Sequence, residues 1–275
     1  MEKIRQAVEQ AKRERQQGGG VDYPRTVSSG IGARRVAADR GAAAFEYSQT
    51  PTVKIGDEVC NRNRMVSGIE NHPLRDTFKM LRTRVLQEMK ANSWNSIVVT
   101  SPAAGAGKTL TAVNLSIAIA GDLSHTALLI DGDLRHPSVH QYFGYEPERG
   151  LNDYLFNDIP LSDILFHPDM GRMTVLPGRE PINESAEILA SPKIVSMLSE
   201  IKLRYSDRII VIDVAPVLSV DDALALAPNI DCVLMVAEAG ATSRDDLAQA
   251  LEMLDGIPII GTVLNKVNKK TTALY

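Results

Sequence analysis

The spacing of apolar positions changes along the chain, and the changes divide it. Over residues 1–17, Ile4, Ala7, Val8 and Ala11 recur at helical spacing among dense charges, and Gly18-Gly19-Gly20 ends the pattern. This predicts a short amphipathic helix. Over 18–65 large apolar residues are sparse, glycine and arginine recur, and no period is sustained. That composition predicts a flexible linker without a packed core. The helical period returns at Leu74, Phe78, Leu81, Val85 and Met89, with Pro73 acceptable in the first turn.

Beyond residue 95, short β-rich runs alternate with helical stretches. Strands are expected at 96–100, 126–131, 172–176, 208–213, 232–236 and 259–264, and helices at 109–121, 191–205, 221–227 and 243–255. Several of the strand runs are apolar without alternation, the pattern of strands buried on both faces. The alternation predicts an α/β fold built on a doubly wound, mostly parallel sheet. Ligands of such sheets sit beyond the carboxyl ends of the strands, and the Gly-rich and acidic residues fall at those ends.

The first strand runs into Ser101-Pro102-Ala103-Ala104-Gly105-Ala106-Gly107-Lys108-Thr109-Leu110, followed by a helix. Small residues let backbone N–H groups close around phosphates, and the helix N-terminus favours an anion. Ala104, Gly105, Ala106, Gly107, Lys108, Thr109 and Leu110 are therefore the expected cradle of a P-loop, or Walker A, site. Lys108 is expected to reach the β- and γ-phosphates, and Thr109 to ligate Mg²⁺. Pro102 stands where the general pattern has its first glycine.

The second strand ends in Asp131-Gly132-Asp133-Leu134-Arg135-His136-Pro137. Two carboxylates beside a phosphate loop repel each other unless a cation or proton intervenes, which makes both candidates for Mg²⁺ or general-base work; a capped turn with solvated acids is the alternative. Asp213, at the end of Arg208-Ile209-Ile210-Val211-Ile212-Asp213, fits a Walker B aspartate acting on Mg²⁺. Asp221 and Asp222 read as the start of a helix. Asn265-Lys266, at the end of the last strand, are candidates for contact with the nucleotide base.

Composition narrows the classes. The 30 basic and 34 acidic side chains, net charge -4, supply no cationic field for nucleic acid. Cys60 and Cys232 are too few and too far apart for a zinc cluster or disulfide framework, which fits a reducing cytoplasm. No apolar run approaches the roughly 18 residues of a membrane span, so any membrane role is expected to be peripheral.

With these motifs in view, residues 66–267 resemble the bacterial tyrosine kinases of capsule and exopolysaccharide synthesis, P-loop proteins with Walker A, an Asp-x-Asp Walker A′ and Walker B. The match extends to Gly150-Leu151-Asn152-Asp153-Tyr154-Leu155, to 176–189 with Leu176-Pro177-Gly178 and Ala186-Glu187-Ile188-Leu189, and to Ala215-Pro216-Val217-Leu218 with Asp222-Ala223. The resemblance implies ATP and Mg²⁺ as cofactors. It places phosphate and metal binding on Lys108 and Thr109, Mg²⁺ and tyrosine activation on Asp131 and Asp133, Mg²⁺ on Asp213, and stabilisation of transferring charge on Arg135.

The same resemblance implies a kinase domain over 66–270, an oligomerisation helix within 66–92, and a short tail at 271–275. The family's Glu-x-x-Arg-x-x-Arg assembly pattern falls on Asp76, Lys79 and Arg82, and lysine lacks the guanidinium fork. Homo-oligomerisation is implied. Family members usually carry a tyrosine cluster at the end, where this sequence has Tyr275 alone as candidate phosphoacceptor. A membrane-bound chain-length determinant is the implied activator and membrane contact, and protein tyrosines are the implied substrates; Arg34-Arg35 in the linker read either as solvated surface or as a weak attraction to anionic lipid. A partition- or division-type switch ATPase, or a weakly active nucleotide-binding regulator, is the competing reading; the second early lysine of the switch ATPases is missing from Ser101-Pro102-Ala103-Ala104.

Overall fold

The computed structural model describes residues 50–205 and 207–267. The helix expected over 1–17, the linker through residue 49 with Arg34-Arg35, and the tail with Tyr275 lie outside the described residues. Within them, Asp57–Arg62 forms a short helix, α1, and Arg75–Asn92 a long one, α2, which ends at Ser93 in the left-handed region. The core then alternates: β1 (Ser96–Thr100), α3 (Lys108–Ala120), β2 (Thr126–Asp131), α4 (Val139–Tyr142), α5 (Leu151–Asn157), β3 (Met173–Leu176), α6 (Ser185–Leu189), α7 (Pro192–Arg204), β4 (Arg208–Asp213), α8 (Asp222–Leu226), β5 (Cys232–Glu238), α9 (Arg244–Met253) and β6 (Ile259–Asn265).

The six strands form one sheet in the order β3-β2-β4-β1-β5-β6, and every pairing is parallel. Side chains alternate across it. Ile97, Val99, Ile209 and Val211 join one apolar core, while Val98, Ile210 and Ile212 join the core on the other face. Both faces are covered, which is why these strands read as unbroken apolar runs. Helix α3 is buried from Thr111 through Ala120, so it lies inside the molecule and holds the loop before it rigidly.

One expectation needs correction: residues 50–65 are not a coreless linker. Cys60 is 1% exposed and Met65 fully buried, and Val53, Ile55 and Val59 pack against the same core as α3. The segment is held by dispersed polar anchors that leave no period in the sequence. Val53 N–H donates to the His167 carbonyl at 2.7 Å, and Asn63 Nδ2 donates to the carbonyls of Gln141 and Tyr142. Buried Asn114 of α3 accepts from Ser67 N–H at 2.9 Å and donates to the Arg64 and Leu110 carbonyls. Asn114→Ala strands those groups, and a loss of about 2 kcal/mol in urea unfolding is expected; an unchanged midpoint would show that the segment is held by its apolar contacts alone.

Candidate functional site

The loop between β1 and α3 curls back through Gly105 and Gly107, whose φ angles of 84° and 91° lie in the left-handed region. Gly107 is further constrained because a Cβ there would collide with the Asn265 carboxamide. Asn265 Nδ2 donates to the Ala106 carbonyl at 2.8 Å, so the last strand is fastened to the phosphate loop. In the structure the Asn265 amide supports the loop backbone. Gly107→Ala is expected to abolish nucleotide-induced thermal stabilisation while leaving far-ultraviolet dichroism native; retained stabilisation would show the loop conformation to be unnecessary.

The three motifs meet at the carboxyl ends of adjacent strands. Asp131 and Asp213 are register partners on β2 and β4. Gly132 permits this convergence: its N–H donates to the Asp213 carbonyl at 2.8 Å, and a Cβ would approach that oxygen to 2.9 Å and the Ile212 side chain to 2.8 Å. Asp133 therefore continues close against β4. Lys108 Nζ lies 2.7 Å from Asp133 Oδ2, 3.5 Å from Asp213 Oδ2 and 3.2 Å from Thr109 Oγ1, with its side chain 12% exposed. Thr109 Oγ1 donates to Asp213 Oδ2 at 2.6 Å.

Asp131 and Asp213 are fully buried. Asp131 Oδ2 accepts the N–H groups of Ser138 and Val139 at 2.9 and 3.0 Å, which ties the acid to the start of α4. Burial, then the Asp213 charge, pushes the Asp131 carboxyl up to about 8 against the pull of the Val139 N–H and Lys108. Asp213 is pushed up to about 6, chiefly by burial, with Lys108 and the Thr109 hydroxyl opposing. Burial disfavours the Lys108 ammonium, yet Asp213, Asp133 and Asp131 together raise its pKa. Lys108 is a secure cation.

The donor set suits Mg²⁺ bound with a nucleotide. Asp131 Oδ1 and Asp213 Oδ1 are buried oxygens with no hydrogen-bond partner among the described residues, and Thr109 supplies a hydroxyl at the helix start. Among the described residues no group of three or more His, Cys, Asp or Glu side chains forms a metal cage. Mg²⁺ is ordinarily held by one or two carboxylates together with phosphates and water, so that result agrees with the donor set.

Other expected site residues divide. Arg135 leaves the acidic loop toward α6, where its Nε donates to Ser185 Oγ at 2.9 Å. Asp76 and Lys79 are exposed and pair with each other at 2.9 Å along α2. Arg82 turns inward and donates to the Ala118 carbonyl at 3.2 Å, so it serves the end of α3. Reading the sequence missed two groups here, buried Ser185 and Asp222, because nothing local marks a serine and a helix-start acid as neighbours of Arg135.

A P-loop, two opposed buried carboxylates and a fully parallel sheet define a nucleotide-binding P-loop protein, and the chain belongs to the CobQ/CobB/MinD/ParA nucleotide binding domain family, whose model matches residues 97–275. Within that class the resemblance to bacterial tyrosine kinases is borne out. The chain is 28% identical over 203 residues to tyrosine-protein kinase Etk of Escherichia coli K12, covering 73% of this chain and 27% of Etk. The Etk kinase domain superimposes with a TM-score of 0.69 at 23% identity, over 80% of this chain and 90% of that one. The VpsO kinase domain is 29% identical with a TM-score of 0.62, over 71% of this chain and 97% of that one. The septum site-determining protein MinD of Pyrococcus horikoshii, complexed with Mg-ADP, has a TM-score of 0.53 at 23% identity, over 64% of this chain and 71% of that one.

Proposed function

We propose that the chain is a protein-tyrosine kinase that transfers the γ-phosphoryl group of ATP to tyrosine, on itself or on other proteins. The observation that supports this best is the convergence of Thr109, Asp133 and Asp213 on the Lys108 ammonium, with Asp131 in register beside Asp213. The backbone of 104–110 cradles the phosphates, and Lys108 neutralises their charge. Thr109, Asp131 and Asp213 would hold Mg²⁺, which would offset charge on the phosphates.

A tyrosine hydroxyl ordinarily loses its proton near pH 10, so it needs a base within reach. Asp133 is the candidate. It pairs with Lys108 at 2.7 Å in the structure, and an ammonium engaged by phosphate would leave the carboxylate free for the hydroxyl. The phenolic oxygen then bonds the γ-phosphorus, the bond to the ADP oxygen breaks, and the phenolic proton passes to Asp133. Arg135, two residues beyond Asp133, is the candidate to stabilise charge on the transferring group.

In the cell we assign this activity to capsule or exopolysaccharide synthesis, with a membrane-bound chain-length determinant as activator and membrane contact. No helix among the described residues is long and apolar enough to cross a membrane. Self-assembly through α2 would use exposed Asp76, Lys79 and Met80, with Arg82 already engaged internally. Incubation with Mg²⁺ and γ-labelled ATP, with and without the activator's cytoplasmic segment, followed by phosphosite mapping, tests the reading. Label on Tyr275 or another tyrosine supports it; released phosphate with no protein label would move the chain to the switch ATPases.

A further inference from the structure

The acidic loop after β2 is connected to two short helices that the phosphate site does not otherwise use. Arg135 Nε lies 2.9 Å from Ser185 Oγ, and Ser185 Oγ lies 2.6 Å from Asp222 Oδ1. Ser185 and Asp222 are both fully buried, on α6 and α8, which pack against each other. The proton order along this chain is forced. A guanidinium can only donate, so the serine oxygen accepts from Nε and its own proton must go to the carboxylate.

The arrangement fixes one edge of the guanidinium. Among the described residues the hydrogen bond that anchors the guanidinium is the one from Nε to Ser185. Burial raises the Asp222 carboxyl, while the Ser185 hydroxyl and the Arg135 charge oppose that rise. Asp222 Oδ2 has no partner among the described residues, so the serine hydroxyl is the acid's only hydrogen-bonded link there. A buried acid in such a position is costly to retain for packing alone.

We propose that Ser185 and Asp222 are positioning residues that tether Arg135 at Nε and leave its two outer nitrogens for the transferring phosphoryl group. The inference rests on the reading of Arg135 as a charge-stabilising group in phosphoryl transfer. A planar guanidinium tethered at one nitrogen loses little freedom when its other two engage phosphate oxygens, which is how preorganised donors accelerate transfer. Without the tether the side chain samples many rotamers, and the contact in the transition state is lost more often than it is made.

The test is a double-mutant cycle with Ser185→Ala and Arg135→Ala, read on tyrosine label and phosphate release, with the melting temperature of each variant measured alongside. Ser185→Ala is expected to lower kcat about tenfold with KM for ATP unchanged, and Arg135→Ala about 100-fold. The double variant should turn over no more slowly than Arg135→Ala, because a tether without its guanidinium has nothing to hold. Ser185→Thr, which keeps the hydroxyl, should recover most of the rate. A packing role alone would lower melting temperature and leave kcat intact; that result, or losses that multiply in the double variant, overturns the proposal. Phosphate release without label would refute the tyrosine-kinase reading, while the same coupling, read on phosphate, would still decide for or against the tether.

Discussion

Lys108→Met should abolish tyrosine label and reduce phosphate release by roughly 100-fold or more, with the fold retained. The argument is electrostatic. Lys108 is the ammonium among three inward-facing acids, and its departure removes both the charge that meets the phosphates and the counter-charge of Asp133 and Asp213. Asp131 and Asp213 already lie above the ordinary carboxylate range, so they can take up protons when the lysine is lost, which limits the damage to stability. Native dichroism with turnover gone is the expected pair of results; wild-type turnover in this variant would remove the P-loop assignment altogether.

The second large effect is a dependence on pH of Mg-nucleotide binding. Burial pushes the Asp131 carboxyl up to about 8 and that of Asp213 up to about 6, against about 3.9 in an unfolded chain. The folded state therefore holds more protons than the unfolded state over that interval, and these two groups make stability fall as pH rises from about 4 to about 8. A divalent cation requires the ionised carboxylates, so affinity for Mg-nucleotide should rise over the upper part of the same range. Thermal stabilisation by Mg-ADP should be greater at pH 8.5 than at pH 6, and calorimetry in buffers of different ionisation enthalpy should record proton release. Stabilisation that does not vary between those pH values would show that neither acid meets the cation.

The architecture was readable because burial on both sheet faces requires strands that are apolar without interruption. The inner strands fall on such runs, and edge strand β6, which is only partly buried, was marked by its β-rich composition instead; the ends of β3, β5 and β6 shift by one or two residues. The P-loop, Asp131, Asp133 and Asp213 were readable for a related reason: close backbone approach and charge convergence demand small residues and acids at strand ends. What escaped reading depends on partners remote in sequence. Asn114 looks like one polar residue in an apolar helix, yet it holds Ser67 and Arg64, 47 and 50 residues away. The short helices α5 and α6 lack the two turns needed to display a period, and Arg82 carries no sign that it turns toward the end of α3.

The tie between Asn265 and the phosphate loop joins groups 159 positions apart in the sequence. During synthesis, Lys108, Thr109, Asp131, Asp133 and Asp213 all leave the ribosome before the side chain that fastens the loop. A nascent chain thus carries all of these groups over the stretch from Asp213 to Asn265 before the side chain that clasps the loop. The last anchor of the phosphate loop is supplied by the strand that is made last of the six.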